Sequence, residues 1–295
     1  MDARDHDQLP LDLCGRALLD GPFTPAMARA AGLSRAVLVR MVEQGRVRRL
    51  LRGAYLAATV AETAEVRAGA VGLLVPTDAV VVDRTAAWVH GIALPGVDRS
   101  TLPPIEAVGR TTRGRGLGGR RVLASRDVSG VGGVQVTTPL RTAMDLGRLL
   151  AAEQGLGILD GLLRARLGTH RELLAELPRF GRHPGVVQLR HLVALADARA
   201  NGPAESALRF HWFAARLPTP VPGLVVDRVG IRLSLGLPVQ RFGVVVGASD
   251  PAAVQAAEAL GWRVVPVGTE RALRDAEAVV QHLEVEFHQH LLRAV

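Results

Sequence analysis

The strongest constraint on the fold is a change of hydrophobic period at Gly45. Before it, apolar residues recur at helical spacing from Ser34 onward, whereas residues 46–51 alternate between basic and apolar side chains like a β-strand. A shorter helical segment precedes Ser34; it begins at Thr24-Pro25 and ends at Gly32. Two short helices joined by a tight glycine turn and followed by a basic hairpin are typical of a winged helix-turn-helix.

The second helix of this pattern is predicted to turn its charge outward. Its inner face is formed by Val37, Leu38, Met41 and Val42. A basic helix followed by a basic hairpin can place cations on the phosphates on both sides of a major groove, while side chains near the helix start reach base edges. The predicted DNA contacts come from the helix start, its outer face and the hairpin: Ser34, Arg35, Arg40, Arg46, Arg48, Arg49 and Arg52. The alternative is a three-helix bundle with solvated arginines.

The distribution of charge supports the DNA-binding interpretation. Residues 21–60 carry seven arginines and one glutamate, and residues 109–126 carry six arginines and no acid. Because the net charge of the whole chain is only +8, the remainder of the chain is net acidic. Basic windows in an otherwise acidic protein indicate a localised nucleic-acid footprint. The Arg/Gly-rich segment 109–121 is predicted to be a hairpin tip that either contacts the DNA backbone or is simply solvated.

Several kinds of chemistry are excluded by residue counts. All 36 basic residues are arginine, so a Walker A phosphate loop, a pyridoxal Schiff base and a lysine-dependent nuclease site are ruled out. The single cysteine, Cys14, leaves no intramolecular disulfide and no CxxC metal site. The histidines lack the spacing of metal ligands. We therefore expect no metal site and no cofactor.

The remaining sequence predicts a mixed α/β protein of three domains. These are a winged helix over residues 1–60, an α/β and helical middle domain over 61–200, and an α/β domain over 201–295. Strand-like pieces of the middle domain are Ile105–Val108, Arg121–Ala124 and Val134–Val136. The apolar stretches are too short to cross a bilayer and the acidic N-terminus is unlike a signal peptide, so we expect a cytoplasmic protein without a membrane partner.

Three segments carry a resemblance to a known family. Residues 21–58, GPFTPAMARAAGLSRAVLVRMVEQGRVRRLLRGAYLAA, resemble the N-terminal winged helix of the AbiEi-type antitoxins of type IV toxin-antitoxin systems. DRTAAWVHGI (83–92) and VTTPLRTAMDLGR (136–148) resemble later segments of the same family. The resemblance implies a transcriptional regulator that binds double-stranded DNA at its own promoter, represses its own operon and opposes a toxin of nucleotidyltransferase type.

The C-terminal domain has a separate resemblance. AESALR (204–209) and ALGWRVVPV (259–267) are similar to segments of very-short-patch-repair-like, restriction-type nuclease domains. Such an enzyme holds a divalent metal with an aspartate and a glutamate on adjoining strands. Here Ser234 stands at the aspartate position and Val245 at the glutamate position, so only Glu205 matches an acidic position. The resemblance implies a restriction-endonuclease-like α/β sandwich without catalytic residues, and we predict that the protein is not an enzyme.

Two other functions compete with that of a DNA-binding antitoxin. The chain is a DNA endonuclease if an unrecognised site replaces the missing carboxylates. It is an interaction module if its C-terminal domain only holds a protein partner. The sequence favours no oligomeric state.

Overall fold

The computed structural model describes residues 18–96, 105–109 and 122–293. Within these ranges the chain forms twelve α-helices and three β-sheets, which confirms the mixed α/β class. The described residues divide into two compact units, one of 18–90, 105–109 and 122–138, the other of 91–96 and 139–293. Cys14 and nearly all of the Arg/Gly-rich segment lie outside the described residues. The predicted boundaries at residues 60 and 200 stay a prediction.

The first unit begins with the expected winged helix. Helices α1 (Pro25–Ala30) and α2 (Arg35–Glu43) are followed by the antiparallel strands β1 (Val47–Leu51) and β2 (Ala54–Ala57). Gly32 ends α1 and Gly45 ends α2, both with the positive φ that favours glycine. A small core of Phe23, Ala28, Leu33, Leu38, Met41 and Val47 holds the helices against the hairpin.

The rest of the first unit contains two helices and a four-stranded sheet. Its elements are α3 (Ala64–Gly72), β3 (Val80–Val81), α4 (Asp83–Val89), β4 (Ala107–Val108), β5 (Val128–Val131) and β6 (Val134–Thr137). The strand order is β4-β3-β6-β5, in which only the β3–β6 pair is parallel.

One predicted strand of this unit is wrong. Residues 122–124 of the predicted strand Arg121–Ala124 are not in a strand. The Ala124 backbone N–H instead donates to the Asp127 carboxylate at 3.0 Å, which starts a 3₁₀ turn. The strand lies just beyond it, because Val128–Val131 can pair with β6 across the tight turn at Gly132 and Gly133.

The second unit starts with a helical layer. It consists of α5 (Pro139–Leu149), α6 (Ala152–Arg164), α7 (His170–Glu176), α8 (Val186–Leu195) and α9 (Pro203–Ala214). In α5, the buried Asp145 carboxylate accepts hydrogen bonds from Arg141 at 2.7 Å and from Arg148 at 2.8 Å. This is the structural ion pair expected from the spacing of Arg141 and Asp145.

A buried ion pair joins α6 to α9. The Arg209 guanidinium is 2.6 Å from the Asp160 carboxylate, and the two side chains are 2% and 0% exposed. The Ser206 hydroxyl donates to the same carboxylate at 2.7 Å. The Arg209 guanidinium also donates a hydrogen bond to the Leu195 carbonyl. Residues on both sides of the predicted boundary at 200 therefore share one buried polar network.

The C-terminal part of this unit is a four-stranded sheet with helices. It contains β7 (Val221–Val226), β8 (Ile231–Leu237), β9 (Phe242–Val246), α10 (Pro251–Ala259), β10 (Arg263–Val267), α11 (Thr269–Arg274) and α12 (Ala276–Arg293). Strands β7, β8 and β9 form an antiparallel meander, and β10 adds parallel to β9. None of the helices in the described ranges has the length and apolar character of a membrane span.

Candidate nucleic-acid interface

The site is built on the two caps that start α1 and α2. The Thr24 hydroxyl accepts a hydrogen bond from the Met27 backbone N–H at 3.2 Å, and the Ser34 hydroxyl accepts one from the Val37 N–H at 3.3 Å. Each cap satisfies a backbone donor that the first turn of a helix leaves free. The caps fix where each helix begins and hence which side chains face outward.

Helix α2 has one buried and one exposed face. Leu38 and Met41 are buried against the small core of the winged helix. The exposed positions are Arg35, Ala36, Val39, Arg40, Val42 and Glu43. Val42, predicted to lie on the inner face, is 37% exposed, so the inner face is narrower than predicted.

The hairpin brings a further cation to the same side as α2. Arg49 lies opposite Tyr55 in the β1–β2 register, and its guanidinium carbon is 5.7 Å from the centre of the Tyr55 ring. Phe23 pairs with Tyr55 through two backbone hydrogen bonds of 2.9 and 2.8 Å, which form an isolated antiparallel bridge at the edge of the hairpin. Val47, two residues before Arg49, is buried in the core beneath α1 and α2. Because side chains on a strand alternate, Val47 and Arg49 lie on the same face of the hairpin.

These elements line an open cavity of about 690 Å3. Arg29 of α1, Arg35 of α2 and Arg49 of β1 all line it, together with Tyr55 and Val39. Arg29 belongs to the basic window of the sequence, but neither it nor Tyr55 nor Val39 was among the predicted contacts. Helical spacing already places Val39 beside Arg35, but only folding shows that Arg29, Arg49 and Tyr55 share the same surface.

Six arginines of the winged helix are available for a ligand. Throughout the described ranges, no ion pair with an acid involves any of them: Arg29, Arg35, Arg40, Arg46, Arg49 and Arg52. All six are exposed, and Arg52 lies at the turn of the hairpin. They therefore carry uncompensated positive charge.

Arg48 is different from the other predicted contacts. It opposes Leu56 on the other face of the hairpin, and Leu56 belongs to a second core formed with α3. The Arg48 guanidinium donates to the Val60 carbonyl at 3.0 Å and lies 3.7 Å from the Glu62 carboxylate. This side chain is held inside its own unit, and its predicted contact with DNA stays a prediction. Ser34 acts in the structure as the cap of α2.

A helix-turn-helix with an uncompensated cationic surface, followed by a hairpin, defines a winged-helix DNA-binding protein. Comparison with protein families gives two matches. Residues 17–58 match the family described as "Transcriptional regulator, AbiEi antitoxin", and residues 78–195 match the "AbiEi antitoxin C-terminal domain". Together these matches cover more than half of the chain, which belongs to the AbiEi antitoxins and is a DNA-binding antitoxin regulator. Comparison with curated proteins and with solved structures found no match.

A second polar cluster surrounds Glu205 and Ser234, two of the positions that correspond to the metal site of restriction-type nucleases. The Glu205 carboxylate of α9 accepts hydrogen bonds from Arg232 at 2.7 Å, from the Ser234 hydroxyl at 2.8 Å and from the Asn201 backbone N–H at 2.7 Å. The Ser234 oxygen in turn accepts from the Val246 N–H at 3.0 Å. Val245 packs in an apolar cluster on the sheet. A guanidinium and a hydroxyl therefore surround the one carboxylate of this cluster.

The electrostatics of this cluster favour a charged pair. Burial by itself raises the pKa of the Glu205 carboxyl, but hydrogen bonds from Arg232, Asn201 and Ser234 outweigh it and lower the pKa below its ordinary value. The hydrogen bond to Glu205 raises the pKa of the Arg232 guanidinium. Among the described residues, no group of three His, Cys, Asp or Glu side chains is arranged to hold a metal ion.

Proposed function

We propose that this antitoxin represses its own operon by binding operator DNA with α2 in the major groove and the hairpin on the adjacent backbone. The observation that carries the proposal is the convergence of Arg29, Arg35 and Arg49, from three different elements, on one cavity. Within the described residues none of the three forms an ion pair, although Glu43 also lines the cavity. A duplex has a phosphate charge about every 1.7 Å along its axis, so it matches such a surface. An α-helix such as α2 is roughly 10–12 Å in diameter with its side chains, which fits a major groove about 12 Å wide.

The test is an electrophoretic shift with a duplex from the region upstream of the antitoxin's own gene. The full chain is expected to shift this duplex, and the triple variant Arg29→Ala, Arg35→Ala, Arg49→Ala is expected to lose the shift. A matched control removes three exposed arginines of the second unit: Arg190, Arg228 and Arg271. The control has the same change of net charge and should bind like the parent. Equal binding by both triple variants, or no shift by the parent, contradicts the proposal.

We also propose that the opposed toxin is of nucleotidyltransferase type and is held by the chain outside the winged helix. The match of residues 78–195 to an antitoxin domain supports the location, and the family resemblance supports the class of toxin. Co-expression of the full chain with the product of the adjacent gene tests this. Rescue of growth by the triple arginine variant is expected, because its toxin-binding region is intact. An adjacent product without nucleotidyltransferase activity contradicts the assignment.

For residues 201–295 we propose a restriction-type nuclease fold that has lost its activity. The order helix, three-stranded meander, helix and parallel strand supports the fold. The loss of activity is supported by the engagement of Glu205 with Arg232 and Ser234 and by the apolar surroundings of Val245. We expect supercoiled plasmid to stay intact with Mg2+ or Mn2+. Cleavage that survives purification and disappears in Glu205→Gln contradicts this proposal.

Because operator DNA is the proposed ligand, we infer a cytoplasmic location.

A further inference from the structure

The outward face of α2 carries a row of three chemically different side chains. Arg35, Val39 and Glu43 are four residues apart, so they follow one another along the same face at steps of about 6 Å. The row presents a guanidinium, an isopropyl group and a carboxylate. Glu43 at the end of the row would be repelled by phosphate, which favours base edges rather than the backbone as the target of this row.

Val39 is the unusual member of this row. Its side chain is 48% exposed in the middle of a short helix, where alanine would have higher helix propensity. It lines the same cavity as Arg29, Arg35 and Arg49. A partner that fits this surface therefore has negative charge around an apolar group. In the major groove, thymine is the base that presents an apolar group, its 5-methyl, between two phosphate backbones.

We propose that Val39 is a specificity-determining residue that contacts the 5-methyl group of a thymine in the operator. The proposal rests on the proposed DNA-binding function and deepens it, because it names the chemical group that α2 reads. Arg29 and Arg49, placed for phosphates, supply affinity for any duplex, whereas a valine gains contact only where a methyl group is present.

The experiment uses duplexes selected from a random-sequence library by the full chain. Each thymine of a selected duplex is then replaced singly by deoxyuridine, which removes only the 5-methyl group. Loss of one buried methyl group is expected to weaken binding about fourfold at one position. Val39→Ala is expected to bind the thymine and deoxyuridine duplexes equally. Alanine is a better helix former than valine, so this variant keeps α2 folded.

A matched control is Val285→Ala on α12, where the valine is 53% exposed. This variant should keep the fourfold difference between thymine and deoxyuridine. Equal affinity of the parent chain for all deoxyuridine duplexes overturns the proposal and assigns Val39 to another contact. A fourfold difference that persists in Val39→Ala also overturns it, because another residue then reads the methyl group. If the library yields no selected duplex, the proposed DNA-binding function itself fails.

Discussion

Arg48 and Arg49 are adjacent in the sequence, and replacing each of them separately by alanine tests the proposed DNA interface. Arg49 faces the cavity beside α2, whereas Arg48 is on the opposite face and is held by the Val60 carbonyl and Glu62. Both substitutions remove one positive charge. We therefore expect them to differ in the salt dependence of DNA binding, because only Arg49 is placed to displace a counterion from a phosphate.

The size of the effect follows from the number of free cations. With Arg35 assigned to a base edge, five of the six available arginines remain for phosphates. Each phosphate contact contributes about −0.9 to the slope of log affinity against log salt, which gives a slope of about −4.5. Affinity then falls roughly 500-fold between 50 and 200 mM salt. For Arg49→Ala the slope becomes about −3.6 and the fall roughly 150-fold.

Fluorescence anisotropy of a labelled operator duplex, measured at a series of salt concentrations, gives these slopes. Arg48→Ala should keep the parent slope, although it leaves the Val60 carbonyl without its donor and is expected to lower the melting temperature. Circular dichroism checks that both variants are folded at the assay temperature. If Arg48→Ala lowers the slope as much as Arg49→Ala, the assignment of the two hairpin faces is refuted.

Three further predictions concern stability. Asp160→Asn should lower the free energy of unfolding by about 3–5 kcal/mol, because Arg209 is left buried without its counterion. Urea denaturation measures this loss, and adding Arg209→Met should recover part of it. Ser34→Ala should cost about 1 kcal/mol through loss of the α2 cap, whereas Ser34→Asp should keep stability but weaken operator binding by repelling phosphate. Because the folded pKa of Glu205 lies below the ordinary 4.5, its stabilisation is present above that pH and is lost as the pH falls through the folded value. Urea titrations from about pH 6 to 3 should therefore show a weaker pH dependence in Glu205→Gln, and an unchanged profile would contradict the assigned ion pair.

Local sequence was sufficient to predict the elements of the winged helix. Ser34 and Thr24 are caps, Gly32 and Gly45 end helices, and the change from helical to alternating spacing places the hairpin after α2. These signals act within a few residues, so they can be read without knowing the rest of the fold. The predicted strand Arg121–Ala124 was wrong at residues 122–124, because local sequence does not show which segment pairs with β6, and Val128–Val131 is the one that does.

The sequence by itself determined that Arg48 and Arg49 lie on opposite faces of a strand, since side chains alternate. It did not determine which face lies beside α2, because apolar residues flank both arginines and both faces of the hairpin are covered by a core. The same limit applies to Glu205, whose partner Arg232 is 27 residues away. Tertiary structure decided both, because the packing of distant elements selects which charges are paired and which stay available to a ligand.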